Sequence, residues 1–418
     1  MTGPRRSLLL LLFVGGALIF ADSNSSLLYR FDDAFFAATA RQVAEEGNWL
    51  NLELRGTPVF EKPPLVFWLE ALAIRALGPT SAAVRFPGSV LFLGLVLLLF
   101  ARLRSLRNDR EALVAALVLL MTQQILYFAR RPVTEIYVVI WSWLAALCYL
   151  EVLRGGGVRP RALGGLAFGL AVMTKGIMGL LAAGPILVHV LIERQALVVL
   201  RHWGTLIGVL VFAALTVPWH LYMVRSGGAE FVEVYFWTTQ LSFLTGTSHS
   251  DPWSASVIVR KIAENYWPWL LALVIALMTS ARALFREPVP GASEERIDDR
   301  RWLRFLWIWI GVILLVFHLT YVKRHRYVLS IYPAFAMMVA WLIARSRGSR
   351  WLQRGVVSMA VGMAIFAVVS SQWPLVVDFD HYGDKTGALL WVVDSVDQAP
   401  VLVHETGESY CFNCDTIA

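Results

Sequence analysis

The sequence predicts an all-α, polytopic membrane protein, and three observations carry that expectation. Of 418 residues, 57% are apolar and only 16% charged, with a mean hydropathy of +0.61, far from the balance of a soluble chain. Apolar runs of about 18 residues or more recur along the whole length, each long enough to cross a hydrocarbon core. Short Arg-rich or Pro/Gly-rich breaks separate them. The formal net charge of +7 could suggest nucleic acid. The basic residues, however, sit in short loops between apolar runs, as the positive-inside tendency predicts. Membrane lipids are therefore expected as surroundings, and no nucleic-acid partner.

In chain order, Arg5-Arg6 precede an apolar run at 8–20. No A-x-A site stands before Asp22, so this reads as an uncleaved first helix with its start in the cytoplasm. Further crossings are expected at 84–101, 112–129, 134–153, 163–174, 177–192, 203–223, 267–284, 302–319, 327–344 and 356–371, about eleven in all. The 163–192 pair is split by Lys175-Gly176, and one long kinked helix is its alternative reading. Residues 1–373 then form one membrane module. Within it, 22–82 is a first outer loop with interfacial helices, and 224–266 is a second, aromatic one. Residues 374–418 form a short polar tail, with a helix expected at 388–396 and a strand at 400–404. Cys148 lies in an apolar run and reads as packing. Cys411 and Cys414 form a C-x-x-C that lacks the second pair of a zinc site.

Alternating sides from a cytoplasmic start puts most arginines inside. All five lysines (Lys62, Lys175, Lys261, Lys323 and Lys385) fall outside. Cations selected against the positive-inside tendency suggest an anion held at the outer face. Snorkelling helix-end lysines are the bland alternative.

The chemistry-bearing residues cluster in the outer segments. Asp32 can cap a helix whose first turn holds Asp33 and which ends near Gly47. Pro64 can open a second helix at 65–77, apolar with Trp68, Glu70 and Arg75 interspersed, which reads as interfacial. Between them, Glu61-Lys62 precede Pro63-Pro64. A residue before proline is pushed to extended geometry, so Lys62 is held out on a stiff backbone. Its ammonium suits a phosphate oxygen. Glu61 should point the other way, toward the Asp pair, as a charge partner or across a divalent cation. No cofactor is certain from these residues. Glu135 follows Arg130-Arg131-Pro132-Val133-Thr134 at a helix start, where a carboxylate needs a partner or water. The run Lys323-Arg324-His325-Arg326-Tyr327 packs donors into one turn, as a phosphate head group would require. Helix capping, surface pairing and a basic topology loop are the structural alternatives for these same residues.

Together these segments resemble the polyprenyl-phosphate-sugar-dependent glycosyltransferases of the GT-C superfamily, in the branch of the lipid A aminoarabinose transferases and the protein O-mannosyltransferases. The resemblance runs through Asp32-Asp33, FEKPP at 60–64, RRPVTE at 130–135, MTKG at 173–176, PWHLYM at 218–223 and KRHRYVLSIYP at 323–333. It implies a GT-C-type fold and transfer of one sugar, with inversion, from a polyprenyl-phosphate carrier to a glycolipid or protein acceptor. By the same resemblance Asp32 is the base, supported by Asp33 and Glu61. Lys62, Lys323, Arg324, Arg326 and Tyr327 hold the donor phosphate, with Arg131, Glu135 and Lys175 in support. The implied location is a bacterial inner membrane, with the site facing the periplasm. Two departures stand out. Glu135 occupies a position where Asp is usual, and 237–243 lacks the His expected there, His249 being nearby but not aligned. They leave a metal site open. The C-terminal domain of longer relatives would be cut short after Asp415. A transporter or flippase is the competing class, as is a non-catalytic relative. A transporter predicts internal repeats and charges near the midplane, whereas no repeat is visible here and the charges gather at one face.

Overall fold

The computed structural model describes residues 3–21, 31–241, 255–285, 294–320 and 325–372, and two short strands at 402–403 and 409–410. Among these residues it is helical throughout, apart from two small hairpins. The helices in order are α1 (Pro4–Phe20), α2 (Phe31–Glu46), α3 (Leu65–Leu77), α4 (Ser81–Leu106), α5 (Asp109–Leu120), α6 (Gln123–Ala129), α7 (Thr134–Leu153) and α8 (Val158–Lys175). A tight helical turn at Gly176–Ala182 leads to α9 (Ala183–Ile192), α10 (Ala196–Leu200) and α11 (Gly204–Phe231). The last described elements are α12 (Ala255–Asn265), α13 (Leu270–Phe285), α14 (Glu294–Leu319), α15 (Tyr332–Arg345) and α16 (Ser349–Gln372).

Local chemistry explains several boundaries. Thr80 starts α4, its hydroxyl accepting from Ala83 N (3.1 Å), and Asn108 starts α5 by accepting from Arg110 N and Glu111 N. Side-chain oxygens there satisfy donors that a helix start leaves orphaned. α3 begins directly after Pro63-Pro64 and occupies the expected 65–77. In the first outer loop, Glu53–Leu54 pair with Thr57–Pro58 across Arg55 and Gly56, both at positive φ. That turn matches the twist of its strands, and the Gln42 side chain holds it by accepting from Arg55 N (3.0 Å).

Among the described residues, seven helical runs are long and apolar enough to cross a membrane, or nine if each of two bent pairs counts as one span. The chain is a multi-pass membrane protein. The sequence expectation of about eleven is higher, and two places account for the difference. α1 has 17 residues, just short of that length. Residues 158–192 count as one run, where the sequence reading placed two crossings. Within that run the chain turns back at Gly176 (φ 59°). A Cβ on Gly179 would overlap the backbone of Ala171, eight residues earlier. Consequently Lys175 reaches the start of α7 at Glu135 (2.8 Å), while His189 meets Tyr149 near its other end (2.7 Å). A second difference concerns residues 224–241, expected as loop. α11 instead continues past a kink at Gly228 into a π-helical segment at Val232–Leu241. In the tail, Leu402–Val403 pair with Ser409–Tyr410. The helix expected at 388–396, Cys411 and Cys414 lie outside the described residues.

α5 runs through the middle of the bundle, with every residue from Ala112 to Leu120 buried. Trp143 of α7 and Trp309 of α14 both donate their indole N–H to the Ser330 carbonyl (2.8 Å each), satisfying a backbone group where lipid offers no partner. α8 and α11 meet through small residues, and a Cβ on Gly165 would overlap the Gly208 carbonyl. At one end of the bundle, Arg107 and Arg345 share Glu111 and Asp299. The candidate site occupies the other end.

The Gly165 contact gives a test of this packing. Gly165→Ala should destabilise the bundle by about 1–3 kcal/mol, the usual range for forced overpacking. Gly16→Ala, at a position with no neighbour within 4 Å, should change stability by less than about 0.5 kcal/mol. Thermal unfolding of the two variants in the same detergent distinguishes them, and equal midpoints would refute the close approach.

Candidate active site

The site is assembled where the starts of α2 and α7, the end of α8 and the turn before α15 converge. α2 begins at Phe31, so Asp32 and Asp33 both lie in its first turn. Asp32 is thus inside the helix rather than its cap. Adjacent helical residues point about 100° apart, and the two carboxylates accordingly have different surroundings.

Asp33 is buried and gripped by Arg131, which donates from Nε to Oδ2 (2.8 Å) and from Nη2 to Oδ1 (2.5 Å). This is the two-pronged geometry that suits guanidinium and carboxylate. The third arm of Arg131 donates to the Tyr127 hydroxyl, and its guanidinium carbon lies 4.7 Å from that ring's centre. Burial still pushes the Asp33 carboxyl above its usual value, against the opposing pull of Arg131 and Arg85.

Asp32 is half-buried and accepts from Nη1 of Arg326. Nε of the same guanidinium stands 3.3 Å from Glu135 Oε1. That oxygen also accepts from Lys175 Nζ (2.8 Å), whose ammonium lies 5.0 Å from the centre of the Tyr327 ring. Asp32, Arg326, Glu135 and Lys175 therefore form one continuous chain of alternating charge. Each link joins distant parts of the sequence.

Lys62 lies beside this chain, within the fields of Lys175, Glu135, Glu61 and Asp32. Among the described residues no hydrogen bond or ion pair is made by its ammonium. Burial pushes that ammonium down to about 8, and the neighbouring Lys175 cation adds to the effect. Glu61 is exposed and joins no ion pair among the described residues. Lys323 and Arg324 lie outside the described residues, as does His249. Lys261 is drawn to its own helix, where it pairs with Glu264 (2.9 Å). The structure thus brings together Asp32, Lys62, Glu135, Lys175, Arg326 and Tyr327, with Asp33 and Arg131 directly behind.

A small cleft opens at this point. Glu135, Lys175, Arg326 and Tyr327 supply its polar lining, while Val138, Val139, Met178, Leu181 and Leu329 supply an apolar one. Val138 is one helical turn into the bundle from Glu135. The polar part therefore lies at the helix ends and the apolar part runs inward.

Sequence reasoning missed one acid at the site. Glu70 of α3 is fully buried, and neither of its carboxyl oxygens has a hydrogen-bond partner. Burial pushes it well above its usual value, with Asp33 adding to the effect. The sequence did carry a signal. Val66, Phe67, Glu70, Ala71 and Ile74 share the buried stripe of α3, at the spacing of a core face.

The fold and site define a multi-pass membrane protein with an acid–cation cleft at one end of its bundle. The comparisons with known proteins agree. Residues 61–222 match the family model described as dolichyl-phosphate-mannose-protein mannosyltransferase. The chain is 27% identical over 325 residues to an undecaprenyl phosphate-α-4-amino-4-deoxy-L-arabinose arabinosyl transferase of Proteus mirabilis, covering 76% of this chain and 56% of that protein. The Serratia proteamaculans transferase is 26% identical, with 76% and 55% covered. The chain thus spans about half the length of these curated relatives. Among solved structures, ArnT from Cupriavidus metallidurans bound to undecaprenyl phosphate superposes with a TM-score of 0.72 at 19% identity, over 88% of this chain and 70% of that one. The oligosaccharyltransferase AglB from Archaeoglobus fulgidus gives 0.54 at 12% identity, over 88% and 54%. The chain shares the fold of these solved structures and is similar in sequence to the curated transferases.

The Asp33–Arg131 pair yields a stability test. Arg131→Ala should cost about 3–5 kcal/mol by leaving a buried carboxylate unpaired. Combining it with Asp33→Asn should recover most of that loss. Thermal unfolding of both variants checks this, and additive losses would show that the two residues do not depend on each other.

Proposed function

We propose that the chain is a membrane glycosyltransferase that moves one sugar from a polyprenyl-phosphate carrier to a glycolipid or protein acceptor. In this reading the site faces the periplasm from the bacterial inner membrane. One observation carries the reading: Asp32 and Lys62 from the first outer loop stand beside Glu135, Lys175 and Arg326, which come from remote helix ends and line a single cleft.

Lys62, Arg326 and Lys175 provide positive charge for the donor phosphate, and the Tyr327 ring forms a wall beside Lys175. The apolar lining running inward from Glu135 suits the first units of a prenyl chain. Lys323 and Arg324 precede Arg326 in sequence and are assigned to phosphate binding in this proposal. Asp32 is the base. It takes the proton of the acceptor hydroxyl as that oxygen attacks the anomeric carbon from the face opposite the phosphate. The bond from the sugar to the phosphate breaks with inversion, and the phosphate leaves with the electron pair. A phosphate already leaves readily. Neutralising its charge and placing the acceptor then account for much of the acceleration.

Arg326 ties the two halves of this scheme together, because its guanidinium is bonded to Asp32 before any phosphate arrives. A donor phosphate competes for that guanidinium and frees Asp32 for the acceptor. Glu61 is exposed at the rim and is assigned to the acceptor side. Asp33 and Arg131 hold the first turn of α2 in place.

A divalent cation does not fit the acids that the structure gathers here. Asp32 is paired with Arg326, Asp33 with Arg131, and Glu135 with both Lys175 and Arg326. Among the described residues no three His, Cys, Asp or Glu side chains stand close enough to hold a metal. Charge at the leaving group is therefore left to the chain's own cations.

Two measurements test the proposal. With a polyprenyl-phosphate sugar as donor and cell-envelope glycolipid as acceptor, Asp32→Asn should lower turnover by about 10²–10⁴-fold, the usual worth of a general base. Turnover equal to wild type in a folded Asp32→Asn protein would remove Asp32 from the mechanism. Lys62 predicts a pH dependence. With its ammonium pushed down to about 8, it carries its proton at pH 7 and loses it as pH rises through 8. The KM for donor should therefore climb roughly tenfold between pH 7 and pH 9, and Lys62→Arg should flatten that rise. For folding the sign is opposite. Between about 8 and the ordinary lysine value of 10.5, the unfolded chain holds a proton that the folded chain has released, so stability gains from this group as pH rises.

A further inference from the structure

The second outer segment contributes a residue whose place in the structure is tied to Lys175. Gln240 is buried (3% exposed) at the end of the π-helical stretch Val232–Leu241. Its Oε1 accepts from the backbone N–H of Ile177 (3.0 Å). Its carboxamide also lies flat against Gly176, where even a Cβ would collide with it.

This contact falls at the one point where α8 stops and the chain reverses. The reversal strands the first backbone donors of the following turn, which a side-chain acceptor must satisfy if they are buried. Gln240 is that acceptor for Ile177. The residue immediately before the turn is Lys175, with φ −145° and ψ 26°, outside the helical region. The direction in which Lys175 leaves the backbone is therefore set by the turn that Gln240 closes.

The other contacts of the segment lead to the second cation. Phe231 packs edge-on against Phe60 (ring centres 5.7 Å apart), two residues before Lys62. Tyr235 stacks on Phe231 (5.0 Å), and its hydroxyl meets His220 Nε2 (3.0 Å). One rigid aromatic strut thus reaches from the Phe60–Pro64 loop to the Gly176 turn. π-helical segments cost hydrogen-bond quality and recur at functional sites. Here the wider turn carries Gln240 onto Ile177.

We propose that Gln240 is a positioning residue for the donor-phosphate site, acting through Lys175 by closing the Gly176 turn. The proposal rests on the glycosyltransferase reading for its kinetic consequence and on geometry alone for its structural one. Gln240→Leu keeps the volume and removes the acceptor, whereas Gln240→Glu keeps an oxygen within reach of Ile177 N.

The experiment has two arms, using the full chain in detergent or nanodiscs. In the first, labelling by a water-soluble amine-reactive reagent is followed at Lys175 by mass spectrometry, with the half-buried Lys261 as internal reference. Lys175 is held on Glu135 in the native protein, so Gln240→Leu should raise its labelling several-fold and Gln240→Glu should leave it within about twofold. This arm needs no activity, so it stands even if no sugar transfer is found with any donor. Unchanged Lys175 labelling in Gln240→Leu would overturn the proposal. In the second arm, kinetics with a polyprenyl-phosphate sugar should show the donor KM of Gln240→Leu raised about tenfold. The same substitution should have little further effect in a Lys175→Ala background, because residues acting as a unit are not additive. Equal losses in both backgrounds would show a general packing role and would also overturn it.

Discussion

A carboxylate at the head of a largely apolar helix has to be neutralised. Glu135 is only 6% exposed at the start of α7, and an unpaired charge in that setting is costly. Its partners come from far along the chain, and supplying them constrains the rest of the bundle. Lys175 arrives only because α8 ends and the chain reverses at Gly176. Arg326 arrives on the tight turn at His325–Ile331, whose Ser330 carbonyl is pinned by two tryptophans. The result is an excess of positive charge, with Lys62, Lys175 and Arg326 set against Asp32 and Glu135. At an effective dielectric near 20, two like charges 4 Å apart repel by roughly 4 kcal/mol. An arriving phosphate relieves such repulsion, which gives the site selectivity for an anion before any directional contact is counted.

The adjacent acids of α2 divide their work because of helical geometry alone. Asp33 turns inward, is enclosed by Arg131 and lies near the buried Glu70. Asp32 turns toward the cleft and meets a single guanidinium that has a second acid to serve. A proton acceptor needs an orbital that is not permanently occupied by a rigid two-pronged partner. Asp32 meets that condition and Asp33 does not. The sequence placed both acids in the catalytic set. In the proposed reading the first takes the proton, while the second is held by Arg131 and anchors the turn that presents it.

What could be read from the sequence was local. Pro63-Pro64 marked the start of α3, the Asp pair marked α2, and the apolar runs marked most of the long helices. FEKPP and the basic run ending in Arg326-Tyr327 pointed to the phosphate site by residue type. Partnerships were beyond its reach. Arg131 and Asp33 are 98 residues apart, and Arg326 and Asp32 are 294 apart, and nothing in periodicity links them. The 158–192 stretch was read as two crossings split at Lys175-Gly176, with one kinked helix as the alternative, since a kink and a reversal share the same glycine. The helical continuation to 241 was hidden because the aromatic residues that suggested an interfacial loop are packed instead as a strut between two turns. Glu70 was overlooked for a different reason. A single acid in an apolar stripe reads as interfacial until burial is known.

The two ends of the bundle are built on different principles, and the contrast bears on what the chain does. At the end opposite the cleft, Arg107 and Arg345 are matched by Glu111 and Asp299, joining α5, α14 and α15 through four ion pairs with Glu111 almost fully buried. Glu193 adds a further link to Arg304 (2.9 Å). Glu111, Asp299 and Glu193 there are each already paired, and that end would lose buried pairs by opening. At the cleft end the cations outnumber the acids, and Lys62 is held without a hydrogen-bond partner among the described residues. A carrier that exposes its site alternately to both sides requires two ends that can each open. A bundle locked at one end and charged for an anion at the other favours chemistry at a fixed place over alternating access.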